Sequence, residues 1–243
     1  MKKVVIIISV LMIMSFLPIG ILADSNNEKD ERKAVIGLFG SLIAPSIFSS
    51  AKTEHLAFSI HGRTITNEGE VPDYDLSESA KDNIDSYQIY LNGRFGGFGA
   101  TLGFGQGNEF EFSQPLILSV DYKLGLFEDA PLFDAAIDAQ YSLIYLPKAD
   151  KIKISAPGFG VASINGLFGA NLIIFEPYAG ITLNYVYLNS EDELFSVWKP
   201  IPKLGLKIKP LPLVNIGGEL SFLMNEKPLN NSWIWNFGAS VRF

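Results

Sequence analysis

The side chains with the most chemical potential are His55 and His61, with Ser59 between them on the same face of an alternating segment. A serine hydrolase or an imidazole-ligated metal would require such groups to converge. Six residues of extended chain instead hold the two imidazoles roughly 20 Å apart, at about 3.3 Å per residue, so they cannot share a metal. These are the only two histidines, and there is no cysteine, which removes thiol nucleophiles, Cys-ligated zinc, iron–sulfur clusters and disulfide scaffolds. No nucleophile elbow or HExxH motif is present. Gly96, Gly97, Gly99, Gly103, Gly105 and Gly107 form a series without the Lys-Ser or Lys-Thr ending of a phosphate loop. The acids between Glu68 and Asp85 lack the ordered spacing of a calcium loop and read as a solvated charge run. The expectation is a protein that is not an enzyme, with no cofactor and no metal site.

The elements that carry these residues are apolar. Of 243 residues, 48% are hydrophobic, 12% aromatic and only 19% charged, which excludes intrinsic disorder. The net charge of −7 argues against nucleic acid, whose binding rests on clustered Lys and Arg. Lys2 and Lys3 precede an apolar run from Val4 to Leu17, then Pro18, Gly20 and Ala23. This is the layout of a secretory signal peptide over 1–23. Its removal takes two lysines and no acid, leaving 17 basic against 26 acidic groups, a net of −9.

Residues 24–53 read as a polar linker followed by a short apolar helix. Val35, Leu38, Phe39, Leu42 and Ile43 fall at helical spacing before Pro45. The run is too short to span a bilayer, which takes about 20 residues. It could plug a lumen, lie at an interface or form an edge strand.

From residue 54 the pattern alternates with period two, and the spacing predicts an all-β, antiparallel, transmembrane up-and-down β-barrel over 54–243. Ten strands are expected, at 54–64, 86–95, 97–106, 115–126, 133–145, 166–175, 178–188, 203–209, 214–224 and 233–243. The stretch 166–175 is apolar on both faces. A further hairpin inside 146–165 would give twelve. Counted back from Phe243, long connections alternate with short turns, including Gly96-Gly97, Glu176-Pro177 and Pro210-Leu211-Pro212, which puts both termini at one end. A soluble sandwich or lipocalin-like barrel also alternates. The crowding of small residues on the polar face and of Trp, Tyr and Phe near strand ends favours the membrane form.

The lumen face is expected to hold His55, His61, Arg94, Asp121, Lys123, Asp134, Asp138, Lys207, Glu219 and Arg242, with Arg63, Gln140, Lys203, Lys209 and Asn215. Both signs of charge are present, which suits either paired filling or a narrow selective pore. The lipid face and its aromatic girdle are expected at Trp233, Trp235, Phe237, Tyr185, Tyr187 and Tyr145.

The last eight residues, Asn236-Phe237-Gly238-Ala239-Ser240-Val241-Arg242-Phe243, carry a resemblance. They are similar to the C-terminal assembly signal of bacterial outer-membrane β-barrel proteins, with Asn236, Gly238, Val241 and Phe243 at its polar, glycine, apolar and aromatic positions. The resemblance implies delivery by periplasmic chaperones, recognition by the barrel-assembly machinery and residence among outer-membrane lipids. Residues Ala51 to Phe58 also resemble uncharacterised outer-membrane barrel families, a match that transfers no activity. The expected function is a narrow channel or carrier for small or hydrophobic solutes, with a filled structural or surface-interaction barrel as the alternative and a membrane-embedded hydrolase behind both.

Overall fold

The computed structural model describes residues 36–37, 40–41, 56–67, 86–107, 115–127, 132–145, 154–170, 172–190, 194–224 and 232–243. The signal peptide expected over 1–23 and His55 lie outside the described residues.

Ten antiparallel strands run β1 Leu56–Asn67, β2 Ser86–Phe95, β3 Phe98–Gly107, β4 Leu116–Gly125, β5 Phe133–Tyr145, β6 Ile154–Ala170, β7 Phe175–Ser190, β8 Leu194–Leu211, β9 Val214–Leu223 and β10 Ser232–Arg242. Each pairs with its sequence neighbours, and β1 closes on β10. Closure leaves no open edge, which is the condition for placing strands in lipid. The seam is in register from Ala57 opposite Arg242 to Asn67 opposite Ser232. The Phe243 amide completes it by donating to the Leu56 carbonyl at 2.9 Å.

Turn chemistry fixes one end. Phe95 pairs with Phe98 across Gly96-Gly97, and Gly96 has φ of 59°, the left-handed conformation required at the first position of a II′ hairpin. This end also holds the connections 126–132, 171–174 and 212–213, and is called the turn side. The opposite end is the loop side.

Several expected bounds shift. The stretch assigned to a long loop at 146–165 with a strand at 166–175 is mostly one strand, β6, and residues 171–174 are the turn after it. The count is therefore ten, not twelve. Glu176-Pro177 lies inside β7 rather than in a turn. The expected loop 189–202 is largely β8. The physical reason is length: β6, β7 and β8 have 17, 16 and 18 residues, whereas a tilted crossing needs about 9–11. At the loop side the surplus of β6 and β8 extends as strand paired with β7, where prolines read as loop; at the turn side β7 starts at Phe175, so that Pro177 is paired with Leu206 where the dipeptide reads as a turn.

The alternation places one set of side chains outside. Ile60, Leu91, Leu118, Val120, Ile137, Ile181, Leu204 and Ile216 form an exposed apolar belt. At the turn-side rim Phe58 meets Phe243, Phe98 meets Tyr122 and Phe133 stacks on Phe168. At the loop-side rim Tyr185 packs on Trp198 and Phe222 on Trp233. Aromatic rings at both ends of an apolar band are the pattern of a membrane-spanning barrel. Trp233, Trp235, Phe237 and Tyr145 are exposed on this surface. Tyr185 and Tyr187 share its outward register but are each only 3% exposed, because Trp198 covers the first and Tyr141 the second. Among the described residues no helix is long and apolar enough to cross a membrane.

Candidate functional site: the barrel lumen

The other parity of each strand points inward. His61, Arg94, Asp121, Lys123, Asp134, Asp138, Lys207 and Glu219 are all buried there, with Arg63, Gln140, Lys203 and Asn215. Arg242, at the turn-side rim, is half-buried and donates to Asn215 Oδ1 at 2.9 Å. Asn236 and Gly238, two of the positions that resemble an assembly signal, also face inward, and Val241 and Phe243 face out.

Toward the turn side the lumen is ionic. Arg94 pairs with Asp121, lies 4.0 Å from Asp138 and donates to the Gly97 carbonyl at 3.1 Å. Asp138 accepts no hydrogen bond at either oxygen, and Lys123 sits directly across the strand pair from it. Lys209 pairs with Glu176 at 3.0 Å. Two acids therefore converge on one arginine, and their burial depends on its charge.

At mid-height the hub is Glu219. It lies 3.8 Å from Lys203, accepts from Tyr178 Oη at 3.1 Å, from Asn236 Nδ2 at 3.1 Å and from Ser221 Oγ at 3.4 Å. Arg63 Nε donates to Asn236 Oδ1 at 2.8 Å, and Lys203 donates to Asn165 Oδ1 at 3.3 Å. One connected network thus ties β1, β10, β9, β8, β7 and β6 together. A network of this kind rigidifies the wall when its members are satisfied.

Toward the loop side an apolar cluster joins the buried charges of Arg63 and Lys199. Tyr90, Ile117, Ile144, Phe159, Val161, Val186 and Leu188 form a buried cluster, with Val197 and Ile36 packed against it. His61 stacks on Tyr90 at 5.1 Å, and the Arg63 guanidinium sits 5.3 Å from the same ring. His61 is therefore part of an aromatic stack. Among the described residues no group of three or more His, Asp or Glu is placed to hold a metal ion.

A narrow barrel accommodates these side chains because the strand opposite often carries glycine. Tyr90 lies across from Gly103, Asp121 from Gly99, Tyr178 from Gly205 and His61 from Gly238. A Cβ at Gly103 would sit 2.7 Å from the Tyr90 ring, and one at Gly238 2.6 Å from His61 Cβ. Large side chains cover the missing ones, the arrangement known to support glycine in sheets.

The sequence reading missed Lys199, Glu176, Tyr90 and Asn165 as lumen residues. Lys199 was findable: Lys199, Lys203 and Lys207 recur every four residues and so share a face, but Pro200 and Pro202 disguised the strand. Both prolines face outward, away from the lumen.

No protein-family model matches the chain, and no curated protein matches it. Solved structures do. The outer membrane channel of Pseudomonas putida F1 is 7% identical with a TM-score of 0.49, over 83% of this chain and 100% of that one. The transport unit of the autotransporter AIDA-I from Escherichia coli is 12% identical with a TM-score of 0.42, over 90% and 100%. The attachment invasion locus protein Ail of Yersinia pestis is 14% identical with a TM-score of 0.33, over 79% and 99%. By its own geometry, closed and antiparallel, apolar outside and polar within, the chain is a ten-stranded up-and-down β-barrel of the outer-membrane type.

Proposed function

We propose that the chain is an outer-membrane β-barrel with a lumen closed at rest, serving as a narrow channel or carrier for small or hydrophobic solutes. A secretory signal over 1–23 and the assembly signal ending at Phe243 fit export to, and assembly in, the outer membrane. Lipids of that membrane would cover the belt of Ile60, Leu118, Val120 and Leu204. No catalytic step is assigned to His61, whose ring is engaged by Tyr90.

The observation that carries the reading is the change in the lumen from an ion-paired tier at the turn side to a loop-side tier where an apolar cluster accompanies Arg63 and Lys199. The apolar end receives Ile36, from outside the strands, against the wall. A second reading, a filled structural barrel, is favoured by the ionic tier, whose side chains cross the lumen from β2 to β5.

Planar-bilayer conductance separates the two. Purified mature protein is expected to open briefly, and a form lacking 34–48 to open for longer. Absence of conductance from both forms overturns the channel and leaves the structural barrel. Mature protein recovered in the soluble periplasm overturns the membrane assignment.

A further inference from the structure

Among the described residues every charged side chain has the inward parity of its strand, and none stands on the lipid face. The two signs are not spread evenly round the wall. From β7 round to β1 there are six basic groups: Arg63 on β1, Arg242 on β10, and Lys199, Lys203, Lys207 and Lys209 on β8. The acids on that arc are Glu176 and Glu219. From β2 to β5 the balance tips the other way, with Arg94 and Lys123 against Asp121, Asp134 and Asp138. The full chain carries 19 basic and 26 acidic residues, so the described strands invert its sign: eight basic groups and five acidic ones.

Lys199, Lys203 and Lys207 recur every four residues, a step of about 13 Å along a strand, and so form a file running from the loop side to the turn side. Lys203 lies 3.8 Å from Glu219, and Lys209 3.0 Å from Glu176. Pairing of this kind fixes where an ammonium group sits without altering the sum of charge that an ion in the lumen meets. Register holds the file in the wall itself, so its charge stays with the lumen through any opening.

We propose that the lumen selects small anions, and that the lysine file of β8, with Arg63 and Arg242, is the rail along which they pass. The proposal rests on the reading of the chain as a channel and names its solute class. The sign of the charge lining a pore sets which ions enter it. Lysine suits a passing anion, because its ammonium is a point charge without the fixed fork by which arginine grips carboxylate or phosphate at two points.

Full mature protein, shown folded by heat-modifiable migration, is placed in a planar bilayer across a KCl gradient, and the reversal potential gives the permeability of chloride relative to potassium. Three unit charges about 10 Å from an ion enrich an anion roughly tenfold in water, and salt screens part of that. The expected wild-type ratio is about fivefold in favour of chloride in dilute KCl, falling as the salt rises. Lys199→Gln with Lys207→Gln leaves six basic groups against five acids among the described residues and should bring the ratio to about twofold or less. Arg242→Gln, at the half-buried rim, is the milder variant should the pair not fold, and should shift the ratio in the same direction. A wild-type ratio of one or less, with conductance present, overturns the proposal and leaves the channel standing. A ratio unmoved in a folded variant overturns the proposal as well. No conductance from the wild type or from the form lacking 34–48 overturns the channel reading and the proposal together.

Discussion

Arg94 of β2 forms its ion pair with Asp121 of β4 across the whole width of β3, whose residue opposite Asp121 is Gly99. The contact exists because that strand contributes no side chain there. A methyl group at Gly99 would meet the Asp121 carboxylate, so a residue chosen for its absence of volume holds two charges in place.

Gly99→Ala should therefore destabilise the barrel by about 1–3 kcal/mol through overpacking. Gly62→Ala is the control, because a Cβ there finds only the Gln88 carbonyl, at 3.8 Å, and should change stability by less than about 0.5 kcal/mol. Urea midpoints of the two variants in lipid vesicles measure the difference. Equal midpoints would show that the pair does not depend on the glycine.

Removing the arginine has a larger effect. Arg94→Met leaves Asp121 and Asp138 buried together and should cost about 3–5 kcal/mol, the usual consequence of breaking a buried pair from one side. Adding Asp121→Asn to Arg94→Met removes one of the stranded charges and should recover part of the loss. A double variant no more stable than the single one would place the penalty elsewhere.

The belt makes a depth-dependent prediction. Val120, in the middle of β4, is 61% exposed, and Leu211, at the turn-side end of β8, is 60% exposed. If lipid surrounds the barrel, Val120→Arg should cost about 2–4 kcal/mol and Leu211→Arg about 0–1 kcal/mol, since arginine near the interface reaches water. In a barrel whose outside met water, the two costs would match.

Phe243 serves the seam twice, through its amide on the Leu56 carbonyl and its ring 6.5 Å from Phe58. Phe243→Ala retains the amide and loses the ring. It should lower folded stability by about 1 kcal/mol, in line with an aromatic pair, while slowing assembly in cells by much more. Pulse-chase heat-modifiability reads the rate. A rate falling only in proportion to stability would argue against a separate recognition of the terminus.

The fold was legible because the bilayer imposes one rule on every strand. Residues alternate between lipid and lumen, and Phe58, Ile60, His61 and Arg63 could be sorted by parity without knowing their neighbours. The rule failed where strands leave the bilayer. Past the rim β6, β7 and β8 no longer need an apolar outer face, so the period fades while hydrogen bonding continues, and Lys199 reads as loop. Tyr185 and Tyr187 show a second limit: parity gives direction, but Trp198 on the adjacent β8 and Tyr141 on β5, reached across β6 at Gly160, decide exposure.

The sequence by itself determined the alternation of the clearest strands, the even strand number and the tight turn at Gly96, because these follow from local geometry and the period of the chain. Only the tertiary structure decided which inward residues meet. Glu219, Tyr178 and Asn236 are far apart in sequence, and their convergence depends on strand register and tilt, which set the level each side chain occupies in a closed barrel. The same closure made neighbours of Arg94 and Asp138 and set Gly40 against Val186, contacts that no spacing along the chain could specify.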